Sequence, residues 1–397
     1  MKKSALALGL FAAMAASALA QQGPVPKDIP HLDHVFLIMM ENHGYRQIIG
    51  NPNAAFINQY ARSANLATNY FAVAHPSLTN YLEVVGGSNF GVHSDNNPDW
   101  HNRNCSTNLS TGTANTDSPA SPAICPISGS GTDAATPVLD CTNEVTGPPC
   151  EINLDGIHSY PAAKNTLGIT IADQLATAGK TWKSYQEDLP MIGPDKVDYS
   201  DGNFTNLTNF STMNPQLTPA LNSGDIVQLY ASKHNPFVYF QNVQQGTDPL
   251  VSYKQVAAFD GVGGLWSDLA AGKAPNFSFI VPNQCNDQHG RPNAGPACDF
   301  DPNDNGTQQG LNPALIYLGD LTLRNLVKAI HRSPAWQEGR NAIVVLWDEN
   351  DYSFAPNVNQ VLLIVDTNYG VYGVQSTSAT RIFHCSKPWR PVLACHA

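Results

Sequence analysis

Hydrophobic and polar positions along the chain alternate between short, continuous apolar runs and stretches of helical spacing. The run "HVFLIMMEN" (34–42) is apolar until its last two residues, the pattern of a strand buried on both faces whose carboxyl end carries Glu41 and Asn42. "AAFINQYARSA" (54–64) has helical spacing, and "TIADQLATAGKTWKSYQEDL" (170–189) reads as a helix, a glycine stop and a strand. "PFVYFQNV" (236–243) is strand-like, "SDLAAG" (267–272) follows a helix pattern, and "NFSFIVPN" (276–283) is a second buried strand entering a polar loop. "NPALIYLGDLTLRNLVKAIHRS" (312–333) is a long amphipathic helix. "NAIVVLWDEND" (341–351) is the most apolar strand and ends in acid, and "NQVLLIVDT" (359–367) is one more. Helices alternating with apolar strands predict an α/β fold, a sandwich around a largely parallel mixed sheet, in which ligands gather at the carboxyl ends of the strands.

Between Asn89 and about Tyr160 the periodicity disappears. Asn, Ser, Thr, Gly, Pro and Cys dominate there, which reads as an insertion of loops, a lid or rim over a site. No internal repeat is visible. The chain opens "MKKSALALGLFAAMAASALA", two lysines before an apolar run and a small-x-small Ala18-Leu19-Ala20, the pattern of a secretory signal peptide cleaved after Ala20. The expected product is therefore periplasmic or secreted, one domain spanning 21–397, with no stable membrane insertion. In that setting disulfides are the expected state of the eight cysteines. Cys105–Cys125, Cys141–Cys150 and Cys285–Cys298 are close enough in sequence to staple loops, although spacing does not fix connectivity.

Charge excludes one class of partner. The formal net charge of −11 becomes −13 without Lys2 and Lys3, the opposite of a nucleic-acid footprint. It permits an anionic substrate, because a bound cation inverts the local field. The sequence leaves the oligomeric state open.

Four sites near strand ends carry the chemistry. They are Glu41-Asn42, the turn "HPSLTN" with Ser77 and Asn80, "NQCNDQH" with Asp287 and His289, and Trp347-Asp348-Glu349. Any one of these acids is equally a helix cap or a solvated loop residue, and an isolated serine is ordinarily a cap or turn residue. Parallel neighbouring strands would bring them to one edge together. Carboxylates with a histidine and no thiolate suit a divalent ion such as Mg²⁺, Mn²⁺, Ca²⁺ or Zn²⁺. His75 fits a satisfied loop histidine, a base or a phosphate-binding donor equally well. No G-x-S-x-G elbow surrounds Ser77, so a hydrolase triad is not favoured.

"IMMENHGY", "HPSLTNYLEVVGGS", "IVPNQCNDQH" and "VVLWDEND" resemble the bacterial phosphoesterase family of secreted acid phosphatases and phospholipase C enzymes, within the alkaline-phosphatase-like superfamily. The resemblance runs from about residue 30 to 375. "WKSYQEDLP" (182–190) and "KHNPFVYFQN" (233–242) look like its shorter, acid-phosphatase branch. It implies an α/β/α sandwich and in-line attack by a metal-bound serine, giving a covalent phospho-enzyme that water hydrolyses. On the T-x-P-N turn of related phosphodiesterases, Ser77 falls at the nucleophile and Asn80 at a phosphoryl-oxygen donor, with Thr79 where proline is usual. Glu41, Asn42, Asp348 and Glu349 would hold a metal. Asp287 and His289 would hold a second metal or place the leaving group. A small phosphate ester is the implied substrate, hydrolysed by a phosphomonoesterase. A phospholipase C or other phosphodiesterase, and a non-catalytic phosphate-binding protein, are the alternatives.

The tail departs from this resemblance. After "VDTNYGVYGVQS" related chains continue with a segment like "THFSLLK", carrying a late histidine, and then a closing helix, whereas this chain reads "TSATRIFHCSKPWRPVLACHA". Residues His384–Cys395 can be encoded by codons that, read in another frame, give "LLKALEAGFGLP". We therefore expect a frameshift near Ser376, which resequencing of the DNA would expose as a homopolymer slip or refute by an intact frame.

Overall fold

The computed structural model describes residues 31–73, 75–87, 95, 170–189, 229–240, 242–243, 246–350, 359–378 and 380–381. The expected signal peptide, nearly all of the 89–160 insertion, the Cys105–Cys125 and Cys141–Cys150 staples and the tail beyond Arg381 lie outside these residues.

A nine-stranded sheet organises the chain. In chain order its strands are β1 (His34–Met40), β2 (Asn65–Phe71), β3 (Trp182–Gln186), β4 (Val256–Ala258), β5 (Phe277–Val281), β6 (Asn341–Trp347), β7 (Gln360–Thr367), β8 (Gln375–Ser376) and β9 (Thr380–Arg381). They lie in the order β4-β3-β5-β1-β6-β7-β2-β8, with β9 also on β2. The run from β4 to β6 is parallel, and β7 is antiparallel to both β6 and β2. Every residue of β5 and β6 is buried. A strand can be buried throughout only if both faces of its sheet are covered, which is why these segments are apolar without alternation.

The helices that cover it are α1 (Tyr45–Ile48), α2 (Ala55–Ser63), α3 (Ser77–Gly86), α4 (Ile171–Thr177), α5 (Leu265–Ala270), α6 (Pro313–Arg332) and α7 (Pro334–Gln337). One group packs α2, α5 and α7 against α6; the other packs α3 with α4 and two 3₁₀ turns near residues 232–239. α6 begins where Asn312 accepts from the amides of Ala314 and Leu315 and Pro313 takes the first position. It buries Leu315, Ile316, Gly319, Leu323, Leu326, Val327 and Ile330 along one stripe. α3 ends at Gly87, whose φ of +72° makes the left-handed cap while its amide bonds Glu83 O. The result is the α/β sandwich with a mixed, largely parallel sheet that the pattern predicts.

One segment differs from that reading. Among the described residues of 236–243 there is no strand: Pro236–Tyr239 form a 3₁₀ turn. Pro236 presets φ for a turn and donates no ladder hydrogen bond, and Phe237 packs between Trp182 and Phe279, with ring centroids 4.5 and 5.6 Å away. The segment is apolar because it lies on the sheet, not in it. Helix α3 and strands β2, β4, β8 and β9 are additions to the expected elements.

Candidate active site

β5, β1 and β6 are adjacent and parallel, so their carboxyl ends share one edge of the sheet. Glu41 follows β1, Asp287 lies six residues beyond β5, and Asp348 and Glu349 follow β6. The loops are stitched together: Glu41 N donates to Asp287 O at 2.8 Å, Asp348 N to Met40 O at 3.0 Å, and Asn42 N to Asp348 Oδ1 at 3.2 Å. Ser77 arrives from the other side, at the first turn of α3.

Ser77 Oγ lies 3.2 Å from both Glu41 Oε2 and Glu349 Oε1, and its single hydrogen serves one of them at a time. Asn80, one turn on, accepts from Val73 N at 2.9 Å, which turns its amide so that Nδ2 donates to Glu349 Oε2 at 3.2 Å. His75 Nδ1 is 2.9 Å from the same Glu349 oxygen. Thus Ser77, Asn80 and His75 converge on one carboxylate. Asn42 and Asp348 stand beside it, and Asp287 and His289 lie on the adjoining loop.

Four further residues complete the pocket without having been singled out in the sequence. Tyr81 donates to Glu41 Oε1. His234 stacks on the Tyr81 ring at 5.2 Å and brings Nε2 to 3.3 Å from Glu41 Oε1 and Nδ1 to 3.4 Å from Asp287 Oδ2. Lys233 reaches His289 Nε2 at 3.2 Å and Asp95 Oδ2 at 2.8 Å. The signal for Lys233 and His234 was present: a Lys-His-Asn triplet interrupts an otherwise apolar aromatic segment.

Buried acids dominate the electrostatics. Glu41, Asp287, Asp348 and Glu349 are buried within one small volume. Burial pushes Glu41, Asp287 and Asp348 well above the ordinary carboxylate range, and repulsion among the acids pushes the same way. Burial also lowers the His234 imidazole well below its usual value, reinforced by Lys233 and His289. Asn42 Oδ1, Asp287 Oδ2 and Asp348 Oδ2 are buried and make no hydrogen bond among the described residues. Orphaned oxygen acceptors amid mutually repelling acids fit a hard divalent ion, which needs such ligands and removes the repulsion. Glu41, His234 and His289 also place one ligand atom each within 4.8 Å of the others.

The rim is held by other means. Cys285 and Cys298 form a disulfide across the loop that carries Asp287 and His289. His43 links Glu41 O to the Asp301 carboxylate, at 3.0 and 2.9 Å.

Several known proteins are similar to this chain. An acid phosphatase of Aspergillus fumigatus is 25% identical over 254 residues, 64% of this chain, and this chain spans only 36% of that protein's length. A phosphatidylinositol-3-phosphatase of Mycobacterium tuberculosis is 24% identical over 375 residues, 92% of this chain and 82% of that protein. A solved structure described as a protein in the alkaline phosphatase superfamily, from Vibrio parahaemolyticus, has a TM-score of 0.44 at 12% identity, covering 89% of this chain and 64% of its own. The Phosphoesterase family model matches residues 51–298, well over half of the sequence. The chain belongs to the Phosphoesterase family.

Proposed function

We propose that the protein is a metal-dependent phosphomonoesterase that works through a phosphoserine at Ser77. The observation that carries this is the placement of Ser77 Oγ, 3.2 Å from two buried carboxylates that themselves adjoin orphaned oxygen acceptors. A serine hydroxyl is a weak nucleophile until a neighbour takes its proton or its pKa falls. Glu41, Asn42, Asp348 and Glu349 would hold a divalent ion beside it. Bound there, the ion would lower the pKa of the hydroxyl and neutralise phosphoryl charge.

The chain's own residues do the rest. Ser77 Oγ gives up its proton to a carboxylate at hydrogen-bond distance and forms a bond to phosphorus as the ester P–O bond breaks. That carboxylate passes the proton to the departing alkoxide. Water then attacks phosphorus and gives one proton, through the same carboxylate, to Ser77 Oγ as the Ser77 Oγ–P bond breaks, and hydrogen phosphate leaves. Asn80 Nδ2 donates to Glu349 one turn from Ser77, where the resemblance to related phosphodiesterases has this asparagine donate to a phosphoryl oxygen. His75, 2.9 Å from Glu349 Oε2, holds that carboxylate toward Ser77. Both relatives above carry phosphatase names, which favours a monoester substrate over a diester. Export of the enzyme is proposed on its leader-like first 20 residues. Among the described residues no helix is long and apolar enough to cross a membrane.

The test is hydrolysis of p-nitrophenyl phosphate beside bis-p-nitrophenyl phosphate, with and without EDTA, for the wild-type chain and Ser77→Ala. We expect monoester turnover that EDTA abolishes and that Ser77→Ala lowers by about a thousandfold or more. Cleavage of the diester alone would move the activity to a phosphodiesterase. Turnover that survives Ser77→Ala would remove the phosphoserine.

A further inference from the structure

Four rings form a file from the interior of the candidate site to its rim. Tyr81 and His234 stack with centroids 5.2 Å apart, His234 and His289 lie 5.4 Å apart, and His289 meets Phe300 edge-on at 6.0 Å. Burial falls along the file. Tyr81 and His234 are shut away from solvent, His289 is half-buried, and Phe300 is 51% exposed. The inner end rests on Glu41, whose Oε1 takes the Tyr81 hydroxyl and lies 3.3 Å from His234 Nε2. Ser77 faces the other oxygen of the same carboxylate.

A single exposed aromatic side chain is ordinary on a protein surface. Phe300 differs because the chain is fixed on both sides of it and beneath it. Cys298 is bonded to Cys285, and its carbonyl accepts from Arg291 N at 2.6 Å. The Asp299 carbonyl accepts from Asn312 Nδ2 at 2.9 Å. The Asp301 carboxylate accepts from Asn312 N at 2.6 Å and lies 2.9 Å from His43 Nε2. The ring rests on Gly290, where a Cβ would lie 2.9 Å from Phe300 Cδ1 and 3.2 Å from its Cα, and where φ is +86°. The loop therefore presents a ring that is seated on one side, open on the other and already ordered. A ligand that packs on such a ring has little side-chain freedom left to freeze.

Attack by Ser77 in line with the departing oxygen places the leaving group on the face of phosphorus away from Ser77. His234 and His289 stand off the Glu41 oxygen that Ser77 does not face, and Phe300 lies beyond them toward solvent. A planar aromatic group gains from offset or edge-to-face packing on a phenylalanine, and a small polyol does not. We propose that Phe300 is the specificity-determining residue for the leaving group, an open aromatic face that selects phosphate monoesters whose leaving group carries a planar aromatic ring. Aryl and nucleoside phosphates share that chemistry. This inference rests on the phosphomonoesterase reading and adds to it the class of leaving group.

The experiment compares wild type, Phe300→Ala and Phe300→Trp, each as the full chain loaded with Mn²⁺. kcat and KM are measured for p-nitrophenyl phosphate, adenosine 5′-monophosphate and glycerol 2-phosphate. Affinities for phenylphosphonate and methylphosphonate, which are not hydrolysed, are measured by titration calorimetry. The wild type should bind phenylphosphonate more tightly than methylphosphonate. Phe300→Ala should weaken phenylphosphonate binding and raise KM for the aromatic esters by about three- to tenfold, leaving methylphosphonate and glycerol 2-phosphate unchanged. Phe300→Trp should keep the aromatic preference. A loss confined to p-nitrophenyl phosphate would support the proposal for aryl esters, and one confined to adenosine 5′-monophosphate would support it for nucleoside esters. Equal losses on all three esters would make Phe300 a support for His289 and overturn the proposal. Unchanged aromatic esters in Phe300→Ala, or no preference for phenylphosphonate in the wild type, would overturn it too. If the wild type hydrolyses none of the esters, the phosphatase reading fails, while the two phosphonates still judge Phe300 on their own.

Discussion

Glu41 shows what single residues contribute. Its Oε2 faces Ser77, and its Oε1 takes the Tyr81 hydroxyl and the approach of His234. A glutamate engaged at both oxygens has lost the rotamer freedom that would let it swing away from Ser77. Tyr81 also covers it, since its ring stacks on His234 and meets Phe279 edge-on. Tyr81→Phe keeps the ring and removes only the donor. Outer partners of a metal ligand are typically worth ten- to a hundredfold in metal affinity, so if Glu41 holds the proposed ion we expect Mn²⁺ binding to weaken by about that factor with the fold intact. A binding isotherm and a thermal melt on the same variant check it; an unchanged isotherm would mean that packing alone positions Glu41. Ser77 was legible because its turn carries a recognisable residue order. Tyr81 was not, because a tyrosine inside "LTNYLEVV" looks like any core aromatic, and only the fold reveals which carboxylate its hydroxyl meets.

At the scale of elements, the site depends on holding the ends of β5 and β6 in fixed relation. Gln288 does this. It sits between Asp287 and His289 with φ of +83°, is buried, donates to Ile316 O at 3.0 Å and accepts from Trp347 Nε1 at 3.0 Å. Trp347 is the last residue of β6, immediately before Asp348, so one side chain clamps two pairs of site residues. The clamp requires a gap in α6: a Cβ at Gly319 would lie 2.2 Å from Gln288 Cγ. Gly319→Ala should therefore displace Gln288 even though alanine is the better helix former. The expected outcome is weaker metal binding and lower kcat with little change in far-ultraviolet circular dichroism. Retained metal affinity in that variant would show that the backbone of the Asp287 loop holds its shape unaided. The strand ends themselves were readable, because buried parallel strands are unbroken apolar runs and any polar residue that follows is conspicuous. β2 was not readable: "NLATNYF" is half-buried and mixed, and its pairing with β7, β8 and β9 is a tertiary fact. The aromatic turn at 236–239 misled for the opposite reason, since burial against the sheet gives the same apolar signature as burial within it.

For the whole molecule, the central problem is that an acidic chain of net charge −11 buries four carboxylates at one point and is proposed to bind an anion there. The proposed cation would reconcile these, and the cost of leaving it out depends on pH. In the metal-free protein, burial holds Glu41, Asp287 and Asp348 above their ordinary ranges. The folded state then keeps protons that the unfolded chain has already released. Stability consequently falls as pH rises from the ordinary carboxylate range, near 4, upward through the raised values. A divalent ion competes with those same protons, so it binds better, and stabilises more, as pH rises. Melting temperatures measured with EDTA and with saturating Mn²⁺ at pH 5 and pH 7 should show both trends. The EDTA form should melt lower at pH 7 than at pH 5, and the gain from Mn²⁺ should be larger at pH 7. Asp348→Asn removes one acid from the cluster and should flatten the first trend while weakening the second. Should the EDTA and Mn²⁺ forms melt together at both pH values, neighbouring imidazoles and protons would suffice to balance the buried acids, and the cation would lose its structural place in the fold.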